Sequence, residues 1–395
     1  MKVALLTREY PPEVYGGAGV HVEYLSRALA SRVELGVRCF GAPRDSDLVA
    51  GTYQPWDALP ADRQGAALRV MSVGLRMAAD LEGVDLVHSH TWYANLPGHL
   101  AKLLYRVPHV MTAHSLEPLR PWKAEQLGAG YALSMFCERT AIESADAVIA
   151  VSGAMRDDVV RAYPDVDPAR VHVIHNGIDA EEYHPDPGTD VLERLGVDPV
   201  VPSVMFVGRI TRQKGITHLL DAAELFDPAQ LILCAGAPDT PEIGEEMRRR
   251  VEALRRRRPG VFWIEEMLAR REVVQLLSHA SVFVCPSVYE PFGLINVEAM
   301  ACGVPVVASA VGGIPEIVVD GMTGALVAFE AGDDAIGSPR DPAGFARAFA
   351  DRVNTLLADP ALAARLGAAG RRRVLDEFQW DAIADATVGL YASLV

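Results

Sequence analysis

The stretch VFVCPSVYEPFGLINVEAMACGVPVVAS (282–309) decides the fold, because it contains a complete strand–helix–strand unit. A short apolar run, VFVCPS (282–287), predicts a buried strand, and VPVVAS (304–309) predicts a second one after a single helical stretch. Pro291 and Gly293 separate the first strand from the helix, so the helix begins near Gly293. Short strands that alternate with helices form parallel sheets covered by helices.

The same alternation of apolar runs and amphipathic helices, such as VHVEYLSRALA (20–30), extends through the rest of the chain. We therefore predict an α/β protein in which the second half repeats the plan of the first. The other predicted strands are VALLT (3–7), VELGVRCF (33–40), DLVHSH (85–90), HVMTAH (109–114), AVIAVS (147–152), VHVIHN (171–176), SVMFVG (203–208), LILCAG (231–236), VFWIEE (261–266) and, as a weaker pattern, ALVAF (325–329).

Two Pro-rich segments, HPDPGTD (184–190) and DPVVP (198–202), form the best linker between these halves. We predict an N-terminal domain over residues 1–180 and a C-terminal domain over residues 181–377. The last segment, FQWDAIADATVGLYASLV (378–395), predicts a helix that is long enough to cross back to the first domain.

Composition and charge restrict the class of protein. The chain has 395 residues, of which 50% are hydrophobic and 23% are charged, as is usual for a globular enzyme of more than one domain. The formal net charge of −15 argues against binding of the whole molecule to nucleic acid or to an anionic membrane. No apolar stretch approaches the ~20 residues that a membrane-spanning helix needs.

The cysteines indicate a reducing compartment. Cys39, Cys137, Cys234, Cys285 and Cys302 are widely spaced and form no C-x-x-C pair, so they predict neither a zinc site nor a disulfide framework. The chain runs directly into a strand without a cleavage-type signal. We therefore expect a cytoplasmic protein with no bound metal.

Two cations follow the first strand of the second domain. In VGRITRQKG (207–215) the strand ends at Gly208, and Arg209 and Lys214 lie in the loop behind it. Ligands of open α/β sheets bind at the carboxyl ends of the strands. Two cations between glycines suit a diphosphate, and the alternative is a pair of exposed loop cations.

Residues 282–309 place two carboxylates after the end of another predicted strand, VFVCPS (282–287). Glu290 lies in the turn before the helix, and Glu298 lies one turn or more into it. The helix N-terminus offers N–H groups at Gly293 and Leu294 to a phosphate, and an acidic residue inside the helix accepts hydrogen bonds from the hydroxyls of a ribose. The alternative is that both are ordinary acids near a helix N-terminus.

The first domain offers a glycine-rich turn and a histidine. YGGAGV (15–20) follows the first strand and opens a helix, which suits either a phosphate or a simple tight turn, but its spacing is not G-x-G-x-x-G. His114 ends the strand HVMTAH and is the better cleft residue, whereas His88 alternates with apolar residues and reads as a buried structural histidine.

The glycine turn, R-x4-K and E-P-F-G-L-x-x-x-E, with seven residues between the glutamates, together resemble the retaining glycosyltransferases of family 4. The resemblance spans essentially the whole chain, including HNGID (175–179) and GGIPEIV (312–318). It implies the GT-B fold, in which two Rossmann-like parallel-sheet domains face each other across a cleft. It also implies transfer of a sugar from a nucleoside diphosphate with retention of configuration and without metal or other cofactor.

By this resemblance, four side chains have catalytic roles. Arg209 and Lys214 stabilise the leaving diphosphate. Glu290 binds the donor sugar near C3, and His114 orients its C6 hydroxyl.

The resemblance also implies which other residues bind the donor. Glu298 holds the ribose. Gly16 and Gly17 line the diphosphate side of the cleft, and the backbone N–H groups of Gly293 and Leu294 bind phosphate.

Two further stretches, TREYPPEVYGGAGVHVEYL (7–25) and FEAGDDAIGSPRDPAGF (329–345), resemble a narrower group of bacterial glycogen-synthase-type enzymes. Some of these transfer glucose from ADP-glucose to glucose 1-phosphate and make α-maltose 1-phosphate, which is the function we expect. Glycogen synthases of family 5 carry K-T-G-G at the first turn, and here Val14 precedes Tyr15, Gly16 and Gly17. Elongation of an α-1,4-glucan by a glycogen synthase stays open as an alternative, as do another nucleotide-sugar transferase, a nucleotide-sugar epimerase or hydrolase, and a non-catalytic nucleotide-sugar-binding regulator.

A phosphorylated acceptor needs local cations in a chain of net charge −15. Lys123 and Arg156 each follow a predicted strand end of the first domain and are the candidates for its phosphate, with solvated surface cations as the alternative. The expected partners are a sugar nucleotide and either a phosphorylated sugar or an α-glucan, with no nucleic acid and no membrane. A homodimer stays open.

Overall fold

A computed structural model describes residues 1–14, 16–60, 62–334 and 337–395. The chain divides into two units, of which one comprises Met1–Gly177 with Trp380–Val395 and the other comprises Ile178–Gln379. Each unit is built around its own parallel sheet with helices between the strands. The predicted α/β class with two Rossmann-like sheets is confirmed.

The sheet of the first unit has the strand order β3-β2-β1-β4-β5-β6-β7, and its neighbouring strands are all parallel. The strand order reverses between β1 and β4, which lie side by side. The strands are β1 Lys2–Thr7, β2 Glu34–Phe40, β3 Val49–Tyr53, β4 Leu86–His90, β5 His109–Ala113, β6 Ala147–Ala150 and β7 Val171–Val173.

The prediction missed β3, because VAGTY lacks the apolar run of the other strands. It is an edge strand, only partly buried, and pairs with β2 alone. The helices of this unit that precede the linker are α1 Gly17–Leu29, α2 Arg63–Ala79, α3 Thr91–Tyr105, α4 Lys123–Leu127, α5 Gly130–Ser144 and α6 Gly153–Ala162.

The sheet of the second unit has the order β10-β9-β8-β11-β12-β13, again with parallel neighbours. Its strands are β8 Ser203–Arg209, β9 Gln230–Gly236, β10 Val261–Ile264, β11 Val282–Cys285, β12 Val306–Ser309 and β13 Gly324–Val327. Its helices are α7 Asp190–Leu195, α8 Ile216–Ala223, α9 Pro241–Arg257, α10 Arg270–His279, α11 Leu294–Ala301, α12 Ile314–Ile317, α13 Pro342–Ala358 and α14 Pro360–Glu377. All the strands expected in this half are present.

The final helix, α15 (Trp380–Ala392), packs into the core of the first unit. The Trp380 ring stacks on Tyr24 of α1, and Gly177 lies so close to the indole that a Cβ at this glycine would be 2.5 Å from it. Tyr391 is fully buried, and its hydroxyl hydrogen-bonds His88 Nδ1 over 2.6 Å. The first unit therefore contains both an early and a late part of the chain.

Within the described ranges, the helices are all too short or too polar to cross a bilayer.

Candidate active site

Two loops meet where the strand order of the second sheet reverses. β8 and β11 are neighbours there, and the crevice outside their carboxyl ends is where open α/β sheets bind ligands. The N–H of Val288, after β11, donates to the carbonyl oxygen of Gln213, after β8, over 2.9 Å. Gly215 has φ +61°, and a Cβ there would overlap the carbonyl oxygen of Pro286, so only glycine fits. The two loops are thus held against each other.

An ion pair connects these loops at the site predicted from the sequence. Lys214 Nζ lies 2.7 Å from Glu290 Oε2, and the Glu290 side chain is only 8% exposed. The Ser287 hydroxyl donates to the same carboxylate oxygen over 3.0 Å. The sequence motifs indicated both charged residues but not Ser287, whose role becomes visible only when the turn after β11 is folded.

The GGIPEIV motif fixes the backbone of Glu290. Gly312 has φ +51°, and a Cβ there would overlap the Glu290 carbonyl oxygen. The N–H of Gly313 donates to that same oxygen over 3.0 Å. This motif therefore holds the turn that carries the carboxylate, which explains why position 312 requires glycine.

Arg209 is the last residue of β8 and pairs with a carboxylate from the neighbouring strand end. Its Nη1 lies 3.3 Å from Asp239 Oδ1, in the loop after β9, and its side chain is 34% exposed. No motif marked Asp239, because its partner comes from a different strand. Arg209 and Lys214 thus both lie at the carboxyl edge of β8, each beside a buried acid.

The pKa values of two ionisable residues at this site, Lys214 and Glu298, are shifted for different reasons. Burial is the largest single effect on the pKa of Lys214 and lowers it, but the charge of Glu290, the neighbouring Cys285 and the hydrogen bond to Glu290 together outweigh burial, so the pKa lies above its ordinary value. Lys214 is therefore an ammonium ion at neutral pH. Burial raises the pKa of Glu298, on α11, to about 7, against opposing effects of the Tyr183 hydroxyl and the Arg270 charge.

The start of α11 lies beside these groups in the chain. Gly293 has φ +107° and is the N-cap residue, and Leu294 is the first helical residue. N–H groups at a helix N-terminus have no acceptor within the helix and carry partial positive charge. Their role as phosphate ligands stays a prediction.

The glycine turn of the first unit has an acid at its helix start. The Gly16 N–H donates to Glu9 Oε2 over 2.8 Å, and a Cβ at Gly19 would lie 2.7 Å from the same oxygen. A carboxylate is a favourable partner for a helix N-terminus. Gly17 faces open space among the described residues, so it retains room for a ligand. Tyr15, in the same motif, lies outside the described residues.

His88 and His114 differ in burial and in their hydrogen bonds. His88 is fully buried, with hydrogen bonds from both ring nitrogens to Tyr391 and Thr112. His114 follows β5, is only partly buried, and hydrogen-bonds through Nε2 to Nδ1 of His90 over 3.0 Å. The role of His114 toward a sugar hydroxyl stays a prediction.

The two cations expected to bind an acceptor phosphate differ in their surroundings. Lys123 is the first residue of α4 and is partly exposed. Arg156 donates to the carbonyl oxygens of Val171, over 3.3 Å, and Pro168, over 3.5 Å. These carbonyls lie at the start of β7, at the opposite end from the carboxyl edge, so the described bonds give Arg156 a structural role. Its binding of a phosphate stays a prediction.

Comparison with known families defines the class of protein. The family model described as Glycosyltransferase Family 4 matches residues 15–182, and the one described as Glycosyl transferases group 1 matches residues 193–338. Among solved structures, sucrose-phosphate synthase from Thermosynechococcus elongatus superimposes with a TM-score of 0.80 at 28% identity, covering 100% of this chain and 98% of that one. Anabaena HepE, solved in complex with UDP-glucose, superimposes with a TM-score of 0.77 at 23% identity, covering 100% of both chains. The fold is GT-B and the protein is a hexosyltransferase.

The chain belongs to the glycosyltransferases of family 4. It is 56% identical to alpha-maltose-1-phosphate synthase of Mycolicibacterium smegmatis over 99% of both chains. It is 54% identical to the protein of the same name from Mycobacterium tuberculosis, also over 99% of both chains. Identity to the glycogen synthase of that organism is 30%, over 99% of this chain and 94% of the relative.

Alanine at Lys214 or at Arg209 removes a cation from the carboxyl end of β8, and we expect each change to lower the turnover number about 100- to 1000-fold. The reason is that preorganised positive charge stabilises a departing diphosphate more in the transition state than in the ground state. Steady-state kinetics with a nucleotide sugar measure this effect. Arg212→Ala, which removes an exposed cation from the same turn, is the control. Turnover near that of the wild type in both folded variants would contradict the assignment.

Glu298 makes stability depend on pH. Its pKa in the folded chain is about 7 against an ordinary value of 4.5, so the folded state holds this proton more tightly than the unfolded state does. This contribution to stability is complete below pH 4.5 and is lost as the pH rises through 7. We expect the free energy of unfolding of the wild type to fall, relative to Glu298→Gln, between about pH 5 and pH 8.

Urea unfolding at about pH 5 and about pH 8 measures the difference in free energy of unfolding between the wild type and Glu298→Gln. Glu252→Gln, on an exposed face of α9, is the control. A constant difference between wild type and Glu298→Gln over that range would show that Glu298 titrates in the ordinary way.

Proposed function

We propose that this enzyme transfers glucose from ADP-glucose to glucose 1-phosphate, with retention of configuration, and so makes α-maltose 1-phosphate. The observation that carries the proposal is identity of 56% and 54%, over 99% of each chain, to relatives named alpha-maltose-1-phosphate synthase. The departure from K-T-G-G at the first turn agrees with a small acceptor. The route served is glycogen and α-glucan synthesis.

In this proposal, catalysis consists of positioning and of charge stabilisation by the protein alone, without a metal or other cofactor. Lys214 and Arg209 stabilise the departing diphosphate, together with the N–H groups at the start of α11. The 2.7 Å contact with Glu290 keeps the Lys214 ammonium at its place before a donor binds, so little reorganisation is needed when the diphosphate arrives.

The remaining donor contacts are carried over from the family resemblance. Glu290 binds the donor sugar near C3, and His114 orients its C6 hydroxyl. Glu298 binds the ribose, and its pKa of about 7 lets the carboxyl either accept or donate a hydrogen bond near neutral pH. Gly17 supplies room for the diphosphate, in agreement with the open space at its Cα.

A second candidate function is elongation of an α-1,4-glucan. The observation in its favour is 30% identity to a glycogen synthase over nearly the whole chain. It differs from the first proposal only in the acceptor, because both reactions use the same donor and the same leaving group.

We place the enzyme in the cytoplasm. All five cysteines are free in the structure, and Cys39, Cys137, Cys285 and Cys302 are buried. Reduced thiols of this kind are typical of a reducing compartment.

The reaction products distinguish the proposed maltose-1-phosphate synthesis from glucan elongation. We expect that the purified enzyme, given ADP-glucose and glucose 1-phosphate, releases a disaccharide monophosphate that mass spectrometry detects, and that UDP-glucose serves less well. Glycogen supplied in place of glucose 1-phosphate is the comparison. If glycogen is extended faster than glucose 1-phosphate is consumed, the enzyme is a glucan synthase. An epimerase would convert the donor without any acceptor.

A cation that the sequence did not single out supports a phosphorylated acceptor. Arg8 directly follows β1, at the place where the strand order of the first sheet reverses. Its side chain is exposed, and its guanidinium carbon lies 4.2 Å from the centroid of the Tyr93 ring. A stacked guanidinium keeps its N–H donors in the plane available for a phosphate. We therefore add Arg8 to Lys123 as a candidate ligand of the acceptor phosphate.

Arg8→Ala is expected to raise the KM for glucose 1-phosphate about tenfold or more, because it removes a charge-assisted hydrogen bond, while the KM for ADP-glucose changes little. Initial-rate kinetics with each substrate varied in turn measure both constants. Lys123→Ala and Arg156→Ala belong in the same series, and Arg161→Ala, an exposed cation of α6, is the control. An unchanged acceptor KM in Arg8→Ala would remove Arg8 from the site.

A further inference from the structure

Four histidines of the first unit lie together at the carboxyl edge of its sheet. His21 belongs to α1, His88 and His90 belong to β4, and His114 follows β5. The His21 ring lies 4.6 Å from that of His114 and 5.3 Å from that of His90, and the His90 and His114 rings are 5.3 Å apart. Burial lowers the pKa of His21 to about 4 and that of His90 and His114 well below the ordinary value, so these rings are neutral.

The hydrogen bonds distinguish His88 from His21 and His90. Both ring nitrogens of His88 have partners, the Tyr391 hydroxyl at 2.6 Å and the Thr112 hydroxyl at 2.7 Å. In contrast, His21 Nε2 and His90 Nε2 are buried and have no hydrogen-bond partner among the described residues. Buried polar atoms without a partner are costly and uncommon, so these two require an explanation.

Asn176 fixes the protonation of His21. The His21 Nδ1 lies 2.8 Å from Asn176 Oδ1, which only accepts, so Nδ1 carries the proton. The Nε2 atom of His21 is therefore unprotonated, and its lone pair is buried without a hydrogen-bond partner among the described residues. A neutral imidazole that donates one N–H to an oxygen and leaves the other nitrogen free is the form that ligates transition metals.

One nitrogen from each of His21, His90 and His114 lies within 4.8 Å of the others. Nitrogens bound at about 2.0–2.1 Å to one tetrahedral Zn²⁺ ion are about 3.4 Å apart, so the rings need to approach one another by only on the order of 1 Å. The cluster offers imidazole nitrogens without carboxylates. Such a ligand set suits Zn²⁺, Co²⁺ or Cu²⁺ rather than Mg²⁺ or Ca²⁺.

We propose that His21, His90 and His114 form a tris-imidazole binding site for a divalent transition metal of the Zn²⁺ type, and that the bound ion inhibits sugar transfer. The inhibition rests on the proposed function, in which His114 contacts a hydroxyl of the donor sugar. A neutral imidazole has one lone-pair nitrogen, so on metal binding His114 would exchange its hydrogen bond with His90 Nδ1 for the metal and could not accept a hydrogen bond from that hydroxyl. The ion is thus a regulator and takes no part in catalysis.

Direct binding of the metal alone tests the site without reference to activity. Chelator-treated enzyme titrated with Zn²⁺ by calorimetry is expected to bind one ion in this site, and Co²⁺ in its place to give the intense visible absorption of a four-coordinate ion. We expect His21→Gln and His90→Gln each to weaken binding more than about tenfold. His99→Gln is the control, because His99 belongs to the same unit and bonds Ser144 outside the cluster. Unchanged affinity in both folded cluster variants would overturn the site.

The wild-type Co²⁺ spectrum keeps the test decisive if those variants do not fold. A weak, octahedral spectrum in the wild type contradicts a tris-imidazole site of this geometry, whatever the variants do. An increase in melting temperature with Zn²⁺ that is present in the wild type and His99→Gln but absent in a folded His21→Gln supports it.

Inhibition is measured separately, as the Zn²⁺ dependence of the transfer rate normalised to the metal-free rate of each variant. We expect Zn²⁺ to inhibit the wild type reversibly, a chelator to restore the rate, and His21→Gln to need more than about ten times as much Zn²⁺ for the same inhibition. Binding without inhibition would leave the metal site intact and refute its effect on His114. If the metal-free wild type does not transfer glucose at all, the proposed function is wrong, and the binding experiments alone decide the metal site.

Discussion

The ion pair between Lys214 and Glu290 is the interaction on which the arrangement of the candidate site depends. It joins the loop after β8 to the loop after β11, which meet where the strand order reverses. Its geometry is possible because glycines at 215 and 312 let one backbone approach another more closely than any side chain allows. A charged contact in a buried place has little freedom, since either partner alone would be an uncompensated buried charge. Backbone and side chains therefore specify one conformation together.

This constraint also explains what the sequence predicted and what it did not. Arg209, Lys214, Glu290 and Glu298 each lie at a fixed distance from a strand or helix end, so local patterns located them. Asp239 pairs with Arg209 from a different strand end, and a contact of that kind leaves no trace in local spacing. Ser287 lies only three residues from Glu290, but its bond to that carboxylate depends on the conformation of the turn, which no spacing motif encodes. The strand β3 was missed for a related reason, because an edge strand that is only partly buried needs no continuous apolar run.

In the first unit, local patterns were less informative. The sequence of the glycine turn after β1 suits either a phosphate loop or a simple tight turn, and in the structure Glu9 accepts the Gly16 N–H. The sequence distinguished His88 from His114 by strand alternation, but it gave no indication that His21, from a helix, lies beside them. Helix and strand periodicities describe which face of an element is buried. They do not tell which faces of different elements meet, and both the histidine cluster and the position of Arg8 depend on that.

The packing of α15 has a consequence for biosynthesis. Residues 380–395 complete the core that Leu5, Val22 and Tyr24 begin, and all of the second unit lies between them in the sequence. On the ribosome the nascent first unit therefore lacks Trp380 and Tyr391 until translation has passed through the second unit, whose own segments are contiguous. Closing so long a loop slows the last step of folding. The C-terminal unit can mature first, and the N-terminal unit is finished only when its final helix leaves the exit tunnel.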